Sequence, residues 1–406
     1  MPIELDAEGL RAARMNAQLL MGPPAAGVVG AVRGAAAVQA QDLNASRLAV
    51  RARTSGLVVA DVRRAIAEER SIIRTWAMRG TLHAIPAADA GWMVGLLGPV
   101  FVAKTARRRA ELGLDDDLCA RAESAMADLL FGGRALTRAE LVDELVKADV
   151  PVPPSGQAPA HLVSYASLRG LICRGPDRED GEPTYVLTRE WVGTWDSRDT
   201  DSALAKLARR YLWGHGPAGL ADFAAWSGLP AAMARRGWEL VAKDTEEVAT
   251  PYGPMLAPRE FAESLPSPPS PWQVRLVGAF DSYLLGYKDR GFALPGRHAH
   301  AVVPGGGIIH PAVLVNGRAV ARWKWAADRR TIVVEPFGAL APELPQGIVA
   351  EVVDIGRFLG VETRLKISDP PRPRVGAVPT EAPTEAAGEE PAEAVGGTGR
   401  PREDAS

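Results

Sequence analysis

The fold of this chain is indicated most clearly by residues 61–86, which read DVRRAIAEERSIIRTWAMRGTLHAIP. Asp61 can cap a helix, and apolar residues recur behind it at the spacing of one helix face, which predicts a helix over residues 62–74. Residues 76–85 have the composition of a strand and stop at Pro86. The segment is therefore predicted to change from helix to strand within a few residues.

Two further helices are predicted upstream, over residues 7–20 and 46–53. The first stops at Gly22-Pro23-Pro24 and the second at Thr54-Ser55-Gly56, because glycine and proline interrupt helices. Three helices followed by a pair of strands predict a winged helix, in which the third helix is offered to a groove of DNA.

Basic residues near the third helix are candidate contacts to DNA phosphates. The net charge of the chain is only −2, so nucleic-acid binding must come from local patches and not from overall charge. The alternative for each residue is a solvated helix face without a ligand. The candidates are four arginines of the helix region and a cluster that follows, namely Arg63, Arg64, Arg70, Arg74, Lys104, Arg107, Arg108 and Arg109.

Two glutamines, Gln39 and Gln41, interrupt an otherwise apolar run between the first two helices. If the run is extended, the period of two places both amides on one face and Ala40 on the other. On a helix the two side chains would diverge. The alternative reading is a solvated turn with two chance glutamines, and propensity alone does not decide between them.

The helix and strand pattern recurs twice. Thr137 and Glu140 form a capping box that begins a helix, a second helix is predicted over residues 161–173, and residues 185–187 read as a wing strand. Residues 220–238 then show a helix, a glycine turn and a second helix at helix-turn-helix spacing. Three copies favour tandem winged helices, although other three-layer helical packing would produce similar strings.

From about Pro271 the sequence changes to strand patterns, with a type I′ hairpin signal at Asn316-Gly317. These strands predict a small barrel or a curved sheet. Three consecutive glycines, Gly305, Gly306 and Gly307, could cradle a phosphate, but no helix or Gly-Lys-Ser/Thr follows, so a hairpin tip is the preferred reading. From Pro370 the chain has no apolar period and is predicted to be disordered.

The predicted fold class is therefore α+β, with tandem winged-helix domains followed by a small β-barrel-like domain. The predicted domains are winged helix 1 with the glutamine pair (residues 1–95), winged helix 2 (96–198), winged helix 3 (199–268), the β-barrel-like domain (269–369) and the disordered tail (370–406). The length of 406 residues fits this number of domains.

Composition restricts the class of protein. The chain has no long uncharged apolar run and no signal peptide, and its two cysteines, Cys119 and Cys173, are far apart and lack metal-ligand spacing. A cytoplasmic, monomeric protein without a membrane segment, a metal or a cofactor is the expectation.

The sequence resembles the AlkZ/YcaQ-type winged-helix DNA glycosylases over roughly residues 5–365. Four motifs carry this resemblance: VQAQ at residues 38–41, RGTLH at 79–83, FDSYLLGYKDR at 280–290 and PGGG at 304–307. The resemblance implies that Gln39 and Gln41 are the catalytic pair of the double-glutamine branch, with Ala40 as an unusually small residue between them. It also adds Arg79 and His83 to the candidate DNA contacts.

The family implies tandem winged helices and a β-barrel that clasp duplex DNA, and excision of bulky N-alkylated purines, including interstrand crosslinks. Repair and self-resistance to a DNA-alkylating natural product are both compatible with this activity. The hairpin of the barrel is the candidate element that probes the lesion; its residues are His298, His300, Gly305, Gly306, Gly307 and His310.

Three alternatives remain open at this point. The same folds serve DNA-binding regulators without enzymatic activity, in which the glutamines would only contact the DNA backbone. A ligand-binding protein with the barrel as its pocket has less support, because no cofactor motif is present. Histidine-based catalysis is the third alternative, with His83, His298, His300 and His310 as candidates, although each is more often structural.

Overall fold

The computed structural model describes residues 3–153, 155–262 and 272–370, which pack as one compact unit of mixed α and β structure. The tail predicted to be disordered lies, from residue 371, outside the described residues, as do residues 263–271 at the predicted start of the barrel-like domain. The predicted domain boundaries at 95/96, 198/199 and 268/269 stay predictions.

The described residues form sixteen α-helices and fourteen β-strands, numbered here in chain order. The helices are α1 (Ala7–Ala17), α2 (Gly27–Gly34), α3 (Leu43–Arg51), α4 (Val59–Ala67), α5 (Ala90–Glu111), α6 (Asp116–Leu130), α7 (Arg138–Lys147), α8 (Ala158–Leu168), α9 (Thr188–Val192), α10 (Thr200–His215), α11 (Leu220–Ser227), α12 (Ala231–Val241), α13 (Arg259–Ala262), α14 (Ser282–Leu285), α15 (Ala299–Val302) and α16 (Leu344–Leu359). The strands are β1 (Ile3–Glu4), β2 (Val38–Gln39), β3 (Ile72–Trp76), β4 (Leu82–Pro86), β5 (Leu136–Thr137), β6 (Ile172–Asp177), β7 (Pro183–Leu187), β8 (Thr245–Ala249), β9 (Met255–Pro258), β10 (Val274–Val277), β11 (Ala312–Val315), β12 (Arg318–Trp325), β13 (Thr331–Pro336) and β14 (Arg364–Ile367).

The first helical unit consists of α2, α3 and α4 followed by the β3–β4 hairpin, with β2 paired to β4. The predicted first helix, residues 7–20, exists as α1 but is not part of this unit. Its place is taken by α2, which the sequence analysis missed. The helix α2 has no side-chain cap, and it forms because Val28, Ala31 and Val32 bury one face against the unit.

The third helix of this unit is shorter than predicted. It begins at Val59 and ends at Ala67, and Asp61 lies inside its first turn, where its carboxylate accepts a hydrogen bond from the backbone N–H of Val58 over 2.8 Å. The chain then turns through Arg70, at φ 52°, and residues from Ile72 belong to a strand. The helix was predicted to extend past Ala67 because the buried strand that follows is also apolar, and its residues continued the apolar pattern.

The second helical unit joins the first through a common sheet. The six strands run in the order β2-β4-β3-β6-β7-β5, and β3 meets β6 at Arg74 and Arg174. The predicted capping box is confirmed: Glu140 N–H donates to Thr137 Oγ1, and Thr137 N–H donates to the Glu140 carboxylate. The predicted helix over 161–173 is α8, which ends at Leu168, because Gly170 adopts φ 79° and the chain then enters β6.

The third helical unit contains α10, α11 and α12 and the β8–β9 hairpin, to which β1 is added in parallel. The predicted helix-turn-helix over residues 220–238 is confirmed by α11 and α12. The turn between them is made by Gly228, which ends α11 in the left-handed conformation at φ 71°. Glycine occupies this conformation without the steric cost that a Cβ would add.

The C-terminal part is an open five-stranded sheet in the order β10-β11-β12-β13-β14, with α16 packed against β10. The type I′ hairpin signal is confirmed, since Asn316 and Gly317, at φ 45° and 76°, connect β11 to β12. Because β10 and β14 are the outer strands and do not pair, the sheet is a half-barrel and the predicted barrel does not close.

The largest hydrophobic core extends across the units. Residues of α1, of the β3–β4 hairpin, of the long helix α5 and of α10 pack together with the segment around Tyr283 and Tyr287. Ala36 and Ala37, directly before the glutamine strand β2, belong to this core, whereas Val38 and Ala40 pack in a smaller core with α2, α3 and α4. Within the described residues, no helix is both long enough and apolar enough to cross a membrane.

Candidate active site

The Gln39-Ala40-Gln41 element is extended. Gln39 lies opposite His83 in the antiparallel β2–β4 pair, and the backbone N–H of Ala40 donates to the carbonyl of Leu82 over 2.9 Å. Asp42 then caps α3 by accepting from Ala45 N–H over 3.0 Å, which ends the extended stretch directly after Gln41. The two amides consequently lie on one face, as the period of two predicts.

The two glutamine side chains touch each other but differ in exposure. Gln39 Nε2 donates to Gln41 Oε1 over 2.9 Å. Gln39 is only 9% exposed, whereas Gln41 is exposed. Ala40, between them, is 3% exposed and packs in the core beneath the strand. The pair therefore has one amide anchored in the protein and one amide at the surface.

Arg79 holds the buried glutamine. Its guanidinium donates to Gln39 Oε1 over 3.0 Å and to the carbonyl oxygen of Trp226 over 2.6 Å. Arg79 sits in the turn of the β3–β4 hairpin with the uncommon φ of 58°. Burial, with a contribution from the nearby Arg290, lowers its pKa to about 10, so it remains charged at neutral pH.

His83, the strand partner of Gln39, is 2% exposed. Its Nδ1 donates to the carbonyl of Thr81 over 2.9 Å, which assigns the proton to that nitrogen because a carbonyl only accepts. Burial and the charge of Arg79 lower its pKa to about 3. His83 is thus neutral and inside the protein, where it supports the strand and offers no surface to DNA or to a reacting group.

The FDSYLLGYKDR motif supports the glutamine strand from behind. Asp281 forms an ion pair with Arg53 at 2.8 Å, and both side chains are fully buried. Ser282 Oγ donates to the carbonyl of Ala37 over 3.1 Å, two residues before Gln39. The hydroxyl of Tyr287 donates to the carbonyl of His215 over 2.9 Å. The motif, which follows β10, is thus a clamp that bonds to the first helical unit and to α10 of the third unit.

The arginines predicted around the third helix occupy different environments. Arg63 and Arg70 are exposed, and Arg70 lies over the ring of Trp191. Arg64 is half-exposed and paired with Asp61 and Glu69. Arg74, in contrast, is 3% exposed and bonded to Asp177 and to the carbonyl of Gly175, so it is placed inside the protein as a structural residue.

The basic cluster on α5 divides in the same way. Lys104 is exposed and donates to the carbonyl of Gly228, and Arg107 and Arg108 are exposed with Glu111 as their common partner. Arg109 is 4% exposed, donates to the carbonyl of Val102 and lies over the ring of Tyr165. Its buried guanidinium has no open surface for a phosphate, unlike its three neighbours.

The glycine segment forms a short exposed loop ahead of β11. Gly305 and Ile308 form an isolated bridge, and the tip from Gly305 to Ile308 is exposed. His300 is exposed, His298 stacks on Phe337, and His310 is half-buried at the end of the loop. The loop is linked to the clamp motif, since the backbone N–H of Phe280 donates to the carbonyl of Ile309.

The sequence analysis missed three groups that position the glutamines. Trp226 contributes only its backbone carbonyl, for which a sequence carries no signal. Arg53 bonds to Asp281 and Ser282 bonds to the carbonyl of Ala37, and in both pairs the partners are more than two hundred residues apart in the sequence. The polar residues inside the FDSYLLGYKDR motif were the available signal, because an Asp and a Ser within an apolar run need buried partners.

Comparisons with known proteins identify the family of this chain. The chain matches the family described as "DNA glycosylase AlkZ-like" over residues 32–358. It is 30% identical over 350 residues to an interstrand DNA cross-link repair glycosylase of Streptomyces sahachiroi, covering 84% of this chain and 92% of the relative.

A solved structure gives the same result at the level of the fold. The S. sahachiroi DNA glycosylase AlkZ superposes with a TM-score of 0.78 at 26% identity, over 90% of this chain and 100% of the other. The resemblance carried by the four sequence motifs is thereby confirmed, and the chain belongs to the AlkZ-like DNA glycosylase family.

Proposed function

We propose that this protein hydrolyses the N-glycosidic bond of N-alkylated purines of the N7 type, bulky or crosslinked, in duplex DNA. The observation that carries the proposal is the hydrogen-bonded pair of Gln39 and Gln41, with one amide buried and one at the surface. The name of the S. sahachiroi relative, an interstrand cross-link repair glycosylase, supports the crosslinked class of substrate.

Neutral amides suit a substrate that is already a cation. An N7-alkylated purine carries a positive charge, so it leaves with the electron pair of the glycosidic bond as a neutral base and needs no general acid. A water molecule forms the new bond to the anomeric carbon and releases its proton to solvent. The amides orient this water and place acceptors near the developing oxocarbenium ion, a role for positioned dipoles.

This chemistry also limits the substrate range. Glutamine side chains do not titrate near neutrality and cannot protonate a leaving group. A normal, uncharged purine would therefore depart slowly even when it reaches the site. The enzyme is expected to discriminate by the charge of the lesion before it discriminates by shape.

We interpret the three helical units as tandem winged helices and the C-terminal half-barrel as the fourth part of a DNA clasp. Each unit has helices followed by a strand hairpin, the order of that fold. Exposed cations from the first unit and from α5 are the proposed phosphate contacts, namely Arg63, Arg64, Arg70, Lys104, Arg107 and Arg108. The loop from Gly305 to His310 is the proposed lesion probe.

We further propose that the enzyme works as a monomer in the cytoplasm. One compact unit contains both glutamines and all of the groups that hold them, so the site is complete in a single chain. Cys119 and Cys173 are free and buried, which fits a reducing compartment. Light scattering of the purified protein, alone and with a short duplex, tests the monomer.

The activity is tested by incubating the purified protein with matched duplexes that carry an N7-alkylguanine, an interstrand crosslink or no lesion. Release of the modified base and an alkali-labile site on the first two duplexes, with none on the third, is the expected result. Tight binding to all three duplexes without release of any base would contradict the proposal and favour a non-enzymatic DNA-binding regulator.

A further inference from the structure

Arg79 is a partly buried arginine whose hydrogen bonds go to neutral acceptors, as do those of the buried Arg109. Arg51, Arg53 and Arg74 each bond to a carboxylate. The guanidinium of Arg79 bonds to Gln39 Oε1 and to the carbonyl oxygen of Trp226, and within residues 3–153, 155–262 and 272–370 no ion pair is formed by it. A charge held in this way costs stability, so its position needs a reason.

The chemistry of the guanidinium fixes the direction of the whole hydrogen-bond chain. Arginine has five N–H donors and no acceptor, so Gln39 must turn its carbonyl oxygen toward Arg79. The amide nitrogen of Gln39 then points toward Gln41. Because that nitrogen only donates, Gln41 must accept with its carbonyl oxygen, and the distance from Gln39 Nε2 to Gln41 Oε1 is 2.9 Å. Without Arg79, both amides could rotate together by half a turn, so that Gln41 Nε2 donates to Gln39 Oε1, and the pair would be equally bonded in the two arrangements.

We infer that Arg79 is a positioning residue that sets the orientation of both glutamine amides, and that Gln41, not Gln39, is the side chain that meets the substrate. This inference rests on the proposed function of the pair. Both ends of the Gln39 amide are bonded inside the protein, the oxygen to Arg79 and the nitrogen to Gln41, and the residue is only 9% exposed. Gln41 is exposed, so the second lone pair of its oxygen and its amide N–H groups can be reached by a substrate.

Arg79 is itself held by the third helical unit. The Trp226 carbonyl is one of the last carbonyls of α11, which lack partners within the helix and form its negative end. A Cβ at Gly228 would lie 2.9 Å from Arg79 Cα, so only glycine lets the two turns approach this closely. The helix-turn-helix of the third unit therefore buttresses the glutamine strand of the first.

This role differs from the phosphate contact that the sequence suggested for Arg79, and the two can be separated. Arg79→Met should lower the single-turnover rate of excision of an N7-alkylguanine about 10- to 100-fold, the loss typical of a misplaced reacting group. The salt dependence of duplex binding should not change. A phosphate contact would instead lower the salt slope by about 1 and weaken binding to every duplex.

Two further variants show whether the lower excision rate of Arg79→Met comes only from poorer folding. Arg79→Lys keeps the charge and one donor direction, and should recover part of the rate. Arg14→Met is the matched control, because Arg14 is 2% exposed and also donates to a backbone carbonyl, that of Pro217, but contacts neither glutamine. It should reduce the melting temperature comparably and leave the rate of the folded protein near that of the wild type.

A double-mutant cycle tests whether Arg79 acts through Gln39. Adding Arg79→Met to Gln39→Ala should produce no more than about a twofold further loss, because the contact it serves is already gone. Multiplicative losses would show that Arg79 acts independently of Gln39, and would overturn the inference while leaving the proposed function intact.

The orientation of the Gln39 amide can also be measured without an activity assay, by hydrogen exchange. In a ¹H–¹⁵N spectrum, the side-chain amide protons of Gln39, assigned by their absence in Gln39→Ala, should exchange slowly with water in the wild type and rapidly in Arg79→Met. Equal exchange in both proteins would overturn the inference. If the wild type excises no lesion but this difference appears, the proposed function fails and the orienting role of Arg79 stands.

Discussion

Gln39 Nε2 donates to Gln41 Oε1 over 2.9 Å, so the two glutamines form one bonded unit and not two independent groups. Because Gln39 positions the amide of Gln41 that meets the substrate, Gln39→Ala and Gln41→Ala should each reduce single-turnover excision of an N7-alkylpurine by about 10- to 1000-fold. Binding of the same duplex should change little, since phosphate contacts dominate affinity. The measurement is base release under single-turnover conditions beside an equilibrium titration.

The double variant and one swap refine this prediction. Loss in the double variant should fall well short of the product of the two single losses, because both remove the same positioned water. Gln41→Asp retains an acceptor for Gln39 Nε2 at the exposed position and should keep activity. Wild-type rates in both single alanine variants would contradict a catalytic role for this element.

Local signals in the sequence were sufficient for some features. The capping box at Thr137 and Glu140 followed from its spacing, and the Asn316-Gly317 turn followed from the φ values that a type I′ hairpin demands. In both cases the physical cause lies within a few residues of the pattern. For Gln39 and Gln41 the period of two predicted a shared face only if the stretch is extended, and pairing with the distant strand β4 is what makes it extended.

The features that the sequence did not predict have distant causes. The helix α2 contains glycines and no capping side chain, and it is stabilised by burial against the rest of the first unit. Arg74 and Arg79 looked like surface cations, but their partners, Asp177 and Trp226, are 103 and 147 residues away. Charge alone does not reveal which arginines fold inward.

The exposed cations should account for the salt dependence of DNA binding. Changing Arg63 and Arg107 together to Gln should lower the slope of log affinity against log salt concentration by about 2, because each phosphate contact releases about one counterion. Arg107 is 94% exposed, so its removal leaves the core intact. Fluorescence anisotropy on an undamaged duplex at several salt concentrations measures the slope.

Two comparisons make this test specific. Arg121→Gln removes an exposed arginine of α6 that pairs with Asp117, outside the proposed DNA contacts, and should leave the slope unchanged. Arg109→Gln should lower the melting temperature without changing the slope, since Arg109 is 4% exposed. An unchanged slope in the Arg63 and Arg107 double variant would exclude these two contacts.

The loop from Gly305 to His310 should affect which lesions are excised. Its tip is exposed, and the apolar side chain of Ile308 at the tip is 44% exposed, so it is accessible for contact with DNA. His310→Ala and Ile308→Ser should each reduce the rate ratio of crosslink to small N7-alkylguanine several-fold. Val353→Ser, at a 61% exposed position on α16, is the control. Unaltered ratios would leave the loop as a simple connection to β11.

The buried ion pair of Arg53 and Asp281 should be essential for stability. Both side chains are 0% exposed, and Arg53 also donates to Gln18 and to the carbonyl of Ala49. Asp281→Asn would leave the guanidinium without its counter-charge and should lower the free energy of unfolding by about 3–5 kcal/mol. The exposed pair of Arg209 and Asp244 supplies the control, because Asp244→Asn should hardly change the urea midpoint.

His215 should make the protein sensitive to acid. It is 0% exposed, its ring stacks on Tyr211 at 4.6 Å, and neither ring nitrogen has a hydrogen-bond partner among the described residues. Burial lowers its pKa from 6.5 to about 3. Between these values the unfolded chain binds a proton that the native protein does not, so the free energy of unfolding falls as the pH falls through this window.

A pH series on two variants separates this effect from general acid denaturation. The wild-type melting temperature should fall steadily from about pH 7 to about pH 4. His215→Leu should start lower, because the stacking is lost, but should fall less steeply. Part of the dependence should remain, since the pKa of His83 is also lowered to about 3. His300→Gln, at an exposed position, should follow the wild-type curve. A His215→Leu curve parallel to the wild type would show that His215 does not titrate on unfolding.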